Sequence, residues 1–151
     1  MVPSVSNLED HIGYWMRMVS NAVSQEFARK VADAGVTVAE WSFMRALFDV
    51  DGIAPTALAD RMGLTRSAIS KLADRLVAKG LILRTETDAG GRGQILALTL
   101  EGRAKVPVLA QFADMNDSEY FGVLSEDERE SLDRLLKALV ARRGLTTRPV
   151  D

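Results

Sequence analysis

The segment Pro55–Gly80, PTALADRMGLTRSAISKLADRLVAKG, constrains the fold more than any other part of the chain. It reads as two short helices separated by a tight turn. Pro55 stands where the first helix begins, a position at which a missing amide costs nothing, and Gly63 ends that helix. Ala59 and Gly63 are four apart: the first must be small so that a second helix can cross closely, and the second must accept a turn conformation. Thr65 is placed to cap the second helix, Arg66 to Lys79, and Gly80 to close its C-terminal end in the left-handed region. Leu58, Leu64, Ile69 and Leu72 supply the apolar plug between the two, and Leu76 continues the inward stripe. Two helices joined by a short glycine turn make a helix-turn-helix.

The flanking sequence gives this unit a helical body and one hairpin. From His11 to Gly35 an apolar stripe recurs at three- and four-residue spacing (Ile12, Trp15, Met16, Val19, Val23, Phe27, Val31), the signature of a long amphipathic helix stopped by Gly35. Thr37-Val-Ala-Glu40 reads as a capping box opening a helix with Trp41, Met44, Leu47 and Phe48, which Asp51-Gly52 ends. LILRTET and QILALTL flank DAGGRG as two β-compatible runs around a glycine-rich tip, hence a hairpin or wing. A helical region from Thr99 or Leu100 to about Phe121 follows, with Pro107 expected to kink it or to mark its true start. Ser125-Glu-Asp-Glu128 is a second capping box, leading into Leu132, Leu135, Leu136, Leu139 and Val140. The expected architecture is mainly α with a small β-hairpin. Residues 1–35 and 100–145 form a helical region, 36–99 a winged helix-turn-helix lobe, and 146–151 a disordered tail.

Charge is distributed unevenly. The chain is −2 overall, yet Arg61, Arg66, Lys71, Arg75, Lys79, Arg84 and Arg92 face only Asp74, Glu86 and Asp88 between residues 61 and 92, a local +4 that leaves −6 for the remainder. Such segregation suits a patch that meets phosphates, on a body that stays soluble by self-repulsion. Several chemistries are excluded or unsupported. There is no Cys, so there is no disulfide, no thiolate-bound zinc and no thiol sensor, and there is a single His, His11. Neither HExxH nor Gly-x-Ser-x-Gly occurs, and the glycines of the hairpin tip lack the Gly-Lys-Ser/Thr and βαβ context of a phosphate-binding loop. Glu126, Asp127 and Glu128 sit at a helix start, where negative charge is favoured without any catalytic role. No enzyme, cofactor or metal site is expected. Nothing approaches the roughly 18 apolar residues that span a bilayer, and Met1 to Asp10 has no secretory pattern, so a cytoplasmic location is expected.

The stretches VTVAEWSFMRAL, PTALADRMGLTRSAISKLADRLVAKGLILR, LALTLEG and LSEDERESLDRLL, in this order and spacing, resemble the MarR-type bacterial transcriptional regulators. The resemblance runs from about His11 to Arg143. It implies a homodimer paired through the N- and C-terminal helices, each subunit presenting a winged helix-turn-helix to a pseudo-palindromic operator in double-stranded DNA, and acting as a repressor. It also implies a small aromatic or phenolic ligand that releases the DNA. The apolar stripes of the terminal helices exceed what a lobe of this size can cover, which also argues for pairing.

A major groove admits one α-helix, with the N-terminal part of that helix reaching base edges. Thr65, Arg66, Ser67, Ser70 and Lys71 lie on or near the face opposite Ile69, Leu72 and Leu76 and are the expected readers. Arg66 suits a guanine, the serines a base or phosphate, and Lys71 and Arg75 phosphates. Lys79 reads as a cation suited to a helix C-terminus. Arg92, at the hairpin tip, is expected in a minor groove. The family's wing usually reads Asp-Arg-Arg, whereas Gly91-Arg92-Gly93 keeps only the middle cation, with Asp88 as substitute partner; a looser, weaker wing is expected. His11, Trp15 and Trp41 are candidate ligand-lining residues, against the plainer reading of core or interface packing. The competing function is a winged helix used only for protein contact, which leaves the basic face without a use.

Overall fold

The computed structural model describes residues 2–87 and 93–150. A 3-10 turn, Leu8–Asp10, leads into α1 (Ile12–Asp33), α2 (Val38–Phe48), α3 (Pro55–Met62) and α4 (Arg66–Ala78). An antiparallel hairpin of β1 (Ile82–Glu86) and β2 (Gln94–Leu98) follows, and then α5 (Leu100–Phe121) and α6 (Glu126–Arg143). The hairpin register runs from Ile82 opposite Leu98 to Glu86 opposite Gln94. Arg92 and Asp88 lie outside the described residues, so the wing expectation attached to them stays one.

Local sequence chemistry accounts for most boundaries. Thr37 caps α2 by accepting from the Glu40 amide at 3.1 Å, while Glu40 Oε1 accepts from the Thr37 amide at 2.8 Å. Ser125 and Glu128 repeat this at α6, at 3.2 and 2.8 Å. Gly63, at φ +68°, ends α3, and the Leu64 amide donates back to the Ala59 carbonyl at 3.0 Å. That left-handed turn is open to glycine without the penalty a side chain would carry. Thr65 Oγ1 then accepts from the Ala68 amide at 3.1 Å to start α4.

Two features differ from the expectations. Pro107 does not mark the start of α5: the helix is assigned continuously from Leu100 to Phe121, with Pro107 on its exposed side. Water can take over the hydrogen bond a proline cannot make there, so the interruption is tolerated. Ile53, which no sequence pattern singles out, adds a one-residue rung to the hairpin, exchanging hydrogen bonds with Leu96 at 3.0 and 2.8 Å.

One core holds the lobe and the helical body together. Phe43, Met44 and Leu47 of α2, Leu58 of α3, Ile69 and Leu76 of α4, Ile82 and Leu96 of the hairpin, and Leu109 of α5 are fully buried in one cluster that also includes Val31 of α1. Each such side chain contributes about 1.5–3 kcal/mol by leaving water, so the core is continuous across the 99/100 boundary drawn from sequence. A polar clasp fixes α1 on α5: buried Asn116 donates to the Val23 carbonyl at 3.3 Å and accepts from Lys30 Nζ at 3.1 Å. α6, by contrast, buries no residue in its own chain. Among the described residues no helix is long and apolar enough to cross a membrane.

Candidate nucleic-acid interface

α4 divides its residues by face. Ile69, Leu72, Ala73 and Leu76 are buried, while Arg66, Ser67, Ser70, Lys71 and Arg75 are exposed, together with the capping residue Thr65. The six residues expected to read or grip a nucleic acid on this helix therefore share one solvent face, because a 3.6-residue repeat that buries one stripe exposes the other. A shallow groove of about 370 Å³ runs beside the first turns, floored by Leu64 and Ala68 and rimmed by Thr65, Ser67, Lys71 and Arg75.

Ion pairing sorts the cations of this region. Arg84 Nη1 bonds Asp74 Oδ1 at 2.7 Å, and Lys79 Nζ bonds Glu40 Oε1 at 2.8 Å. Among the described residues, Arg61, Arg66, Lys71 and Arg75 form no ion pair. Their charge is left for an external anion. Lys79 departs from the plain helix-terminus cation expected of it, since it points inward: its ammonium also donates to the Gly35 carbonyl at 2.8 Å. Glu40 is completely buried. Burial pushes its carboxyl up, but the hydrogen bonds and charge of Lys79, with the Thr37 amide and hydroxyl, outweigh that and hold it below the usual glutamate range. Pattern gave each partner a purely local role, capping for Glu40 and the helix dipole for Lys79. A contact across 39 positions leaves no periodic trace in the chain.

A second connection escaped sequence reading. Arg103 of α5 donates to the carbonyls of Phe48 at 3.1 Å and Val50 at 3.4 Å, and lies over the Phe48 ring at 5.3 Å. It occupies the C-terminal end of α2, where a cation meets the negative pole of the helix. α2 is thus held at its start by α4 and at its end by α5.

The three candidate ligand residues are not gathered within one chain. His11 is exposed at the start of α1, with Nδ1 3.2 Å from the Leu8 carbonyl, and the half-exposed Trp15 donates its indole N–H to the Glu9 carbonyl at 2.8 Å. Trp41 packs against the core in the first turn of α2. Trp15 lies about 24 Å of helix before Val31, next to the elbow from which α2 starts, at about 1.5 Å per residue. Residues 145–150 adopt no helix or strand, and Val150 is half-buried at the edge of the α4 groove.

With this geometry in place, residues 34–93 match the model of the MarR family. Over that stretch the chain is similar to the MarR family. A relative from Thauera aromatica, whose name assigns it to transcriptional regulation of the hcr operon, is 29% identical over 134 residues, spanning 88% of this chain and 81% of its own. A crystal structure of a Pseudomonas aeruginosa protein named as a probable transcriptional regulator superposes with a TM-score of 0.74 at 27% identity, covering 88% of this chain and 99% of that one. A mutant MarR from E. coli, solved in complex with operator DNA, shares the fold with a TM-score of 0.74 at 23% identity, over 90% of this chain and 99% of that one. The match to the MarR model spans α2, the helix-turn-helix and β1, and so contains the part that was most legible in the sequence. The mostly helical MarR architecture with a two-stranded hairpin is the one observed.

Proposed function

We propose that this chain is a MarR-type, homodimeric, sequence-specific regulator of transcription that inserts α4 into the major groove of a pseudo-palindromic operator and acts as a repressor in the cytoplasm, without enzymatic activity. The observation that carries the reading is the solvent face of α4, where Arg66, Lys71 and Arg75 stand free of ion pairs among the described residues beside Thr65, Ser67 and Ser70. Phosphates supply the missing counter-charge, and hydroxyls short enough to let backbone approach base edges suit a groove. Regulator names among the relatives support the same reading, as does a fold neighbour solved on operator DNA.

Pairing follows from surface that one chain leaves bare. Ile12, Trp15, Met16 and Val19 on α1, and Leu135, Leu136, Leu139 and Val140 on α6, are all at least two-fifths exposed. Exposed apolar stripes of this kind mark an interface, and a two-fold partner places two copies of α4 about one DNA turn apart.

The deciding experiment is selection of duplexes from a random-sequence pool, followed by affinity measurement at two salt concentrations. The reading requires a recovered palindrome-like site whose binding weakens steeply with salt; no enrichment, or salt-independent binding, defeats it and favours the protein-contact alternative. Release by a small aromatic acid is the finer part of the reading, resting on His11, Trp15 and Trp41. Trp15 and Trp41 are the chain's two tryptophans, so fluorescence titration with a panel of aromatic acids tests it, and a flat response across the panel removes the ligand.

A further inference from the structure

Three helix ends converge on the ammonium of Lys79. α1 finishes in a turn where Gly35 adopts φ +86° and the Val36 amide donates to the Val31 carbonyl at 3.2 Å; the Gly35 carbonyl then accepts from Lys79 Nζ at 2.8 Å. α2 begins with the Thr37–Glu40 box, and Glu40 Oε1 takes both the Thr37 amide and Lys79 Nζ, each at 2.8 Å. α4 ends at Lys79 itself, whose amide closes the last turn on Arg75 at 3.1 Å. Among the described residues the second carboxylate oxygen of Glu40 is buried without a hydrogen-bond partner, so Lys79 is the cation on which that buried charge depends. A charge this well desolvated is held tightly, because losing its partner leaves an uncompensated ion in the interior.

From this junction we infer that Lys79 is a positioning residue for DNA recognition: it ties the C-terminal end of α4 to the α1–α2 elbow and so sets where the reading face stands relative to the pairing helices. The inference rests on the DNA-binding reading above. Mechanically, α1 carries the surface that meets a second copy, and α4 carries the surface that meets bases. The Gly35 carbonyl and the Glu40 carboxylate fix one ammonium from two sides. A shift of the elbow against α4 therefore has to break one of two charge-assisted bonds, which are the strong kind. In a dimer this fixes the separation of the two reading helices, on which a bidentate fit to two half-sites depends. Lys79 does this without touching DNA, since its Nζ is engaged inward.

The test compares Lys79→Met, Lys79→Arg and Lys71→Ala in the full chain, on a duplex selected by the wild-type protein and on a random duplex of equal length, across a salt series. A positioning role predicts that Lys79→Met loses roughly tenfold on the selected duplex and little on the random one. The dependence of log K on log salt stays unchanged, and Lys79→Arg recovers most of the loss. Lys71→Ala is the contrast: a lost phosphate contact weakens both duplexes and flattens the slope by about 0.9 per contact. If Lys79→Met folds poorly, the double variant Glu40→Gln/Lys79→Met removes the stranded charge and is expected to fold while retaining the loss of discrimination. A flattened slope for Lys79→Met, equal losses on both duplexes, or wild-type discrimination in the double variant each overturns the inference. Failure of the wild-type protein to select any duplex overturns the DNA-binding reading, and the inference falls with it; wild-type selection with unaltered variants overturns the inference alone.

Discussion

Gly102→Ala sets two opposed effects against each other, and the structure decides the sign. Gly102 is the third residue of α5 and is buried; its amide donates to Thr99 Oγ1 at 2.9 Å. In an unobstructed helix, alanine would be favoured over glycine by about 1 kcal/mol. Here a Cβ at position 102 would lie 2.1 Å from the Leu81 carbonyl oxygen and 3.2 Å from Leu98 Cδ2. Relief demands a movement of roughly an ångström, the distance back to ordinary contact. The obstacle is backbone, and it is anchored: the Leu81 oxygen accepts from the Thr99 amide at 3.0 Å, and the Leu81 amide donates to the Leu76 carbonyl at 3.0 Å. Overpacking of this kind costs about 1–3 kcal/mol, and loosening one or two of the local hydrogen bonds adds about 1 kcal/mol each. After subtracting the helical gain, the net expectation is a destabilisation of about 1–4 kcal/mol, a large share of a domain stability of about 5–15 kcal/mol. Urea unfolding followed by circular dichroism measures it, at one fixed protein concentration because pairing makes stability concentration-dependent. Gly13→Ala is the control: it lies in the exposed first turn of α1, where an added methyl meets nothing within 4 Å, and it should be neutral or slightly stabilising. If Gly102→Ala unfolds at the same urea concentration as Gly13→Ala, the close approach of α5 to Leu81 is not a constraint and the reasoning fails.

Three further outcomes follow from the geometry. Thr65→Ala removes the hydroxyl that accepts from the Ala68 amide and should cost about 1 kcal/mol in urea unfolding; an unchanged midpoint would mean that α4 does not depend on its cap. Leu139→Glu places a charge on the unburied face of α6, so sedimentation should show a smaller species with intact helical content, and an unaltered mass would show that this face is not the pairing surface. The pH response tests the Glu40–Lys79 pair through its sign. Because the folded-state pKa of Glu40 is lowered, its contribution is fully present above the unfolded value, about 4.3, and is lost as pH falls through the lower folded value. Wild-type stability should thus be flat between pH 7 and 5 as far as Glu40 is concerned. In Lys79→Met both lowering influences of Lys79 are gone while burial, the largest single influence, remains, so that pKa moves upward and stability should increase relative to the wild type on going from pH 7 to 5. Parallel urea midpoints for the two proteins at both pH values would refute this account.

The residues themselves determined the lobe. Gly63, Thr65 and the Leu58/Ile69/Leu72/Leu76 stripe dictate a helix, a left-handed turn and a second helix because backbone sterics, capping and the 3.6-residue repeat act within a few positions of each residue. The same locality made both capping boxes and the exposed face of α4 legible, and with them the resemblance to the MarR family. What only tertiary structure decided are relations between distant positions: Ile53 against Leu96, Arg103 on the carbonyl end of α2, Val150 at the α4 groove, and Lys79 turned onto buried Glu40. A lysine looks alike in sequence whether it faces water, a phosphate or a carboxylate; burial and partner choose among them, and both are set by how the helices pack. For this reason, charge counting placed seven cations in one patch, whereas packing withdrew Arg84 and Lys79 from it and left Arg66, Lys71 and Arg75 on the helix face open to solvent.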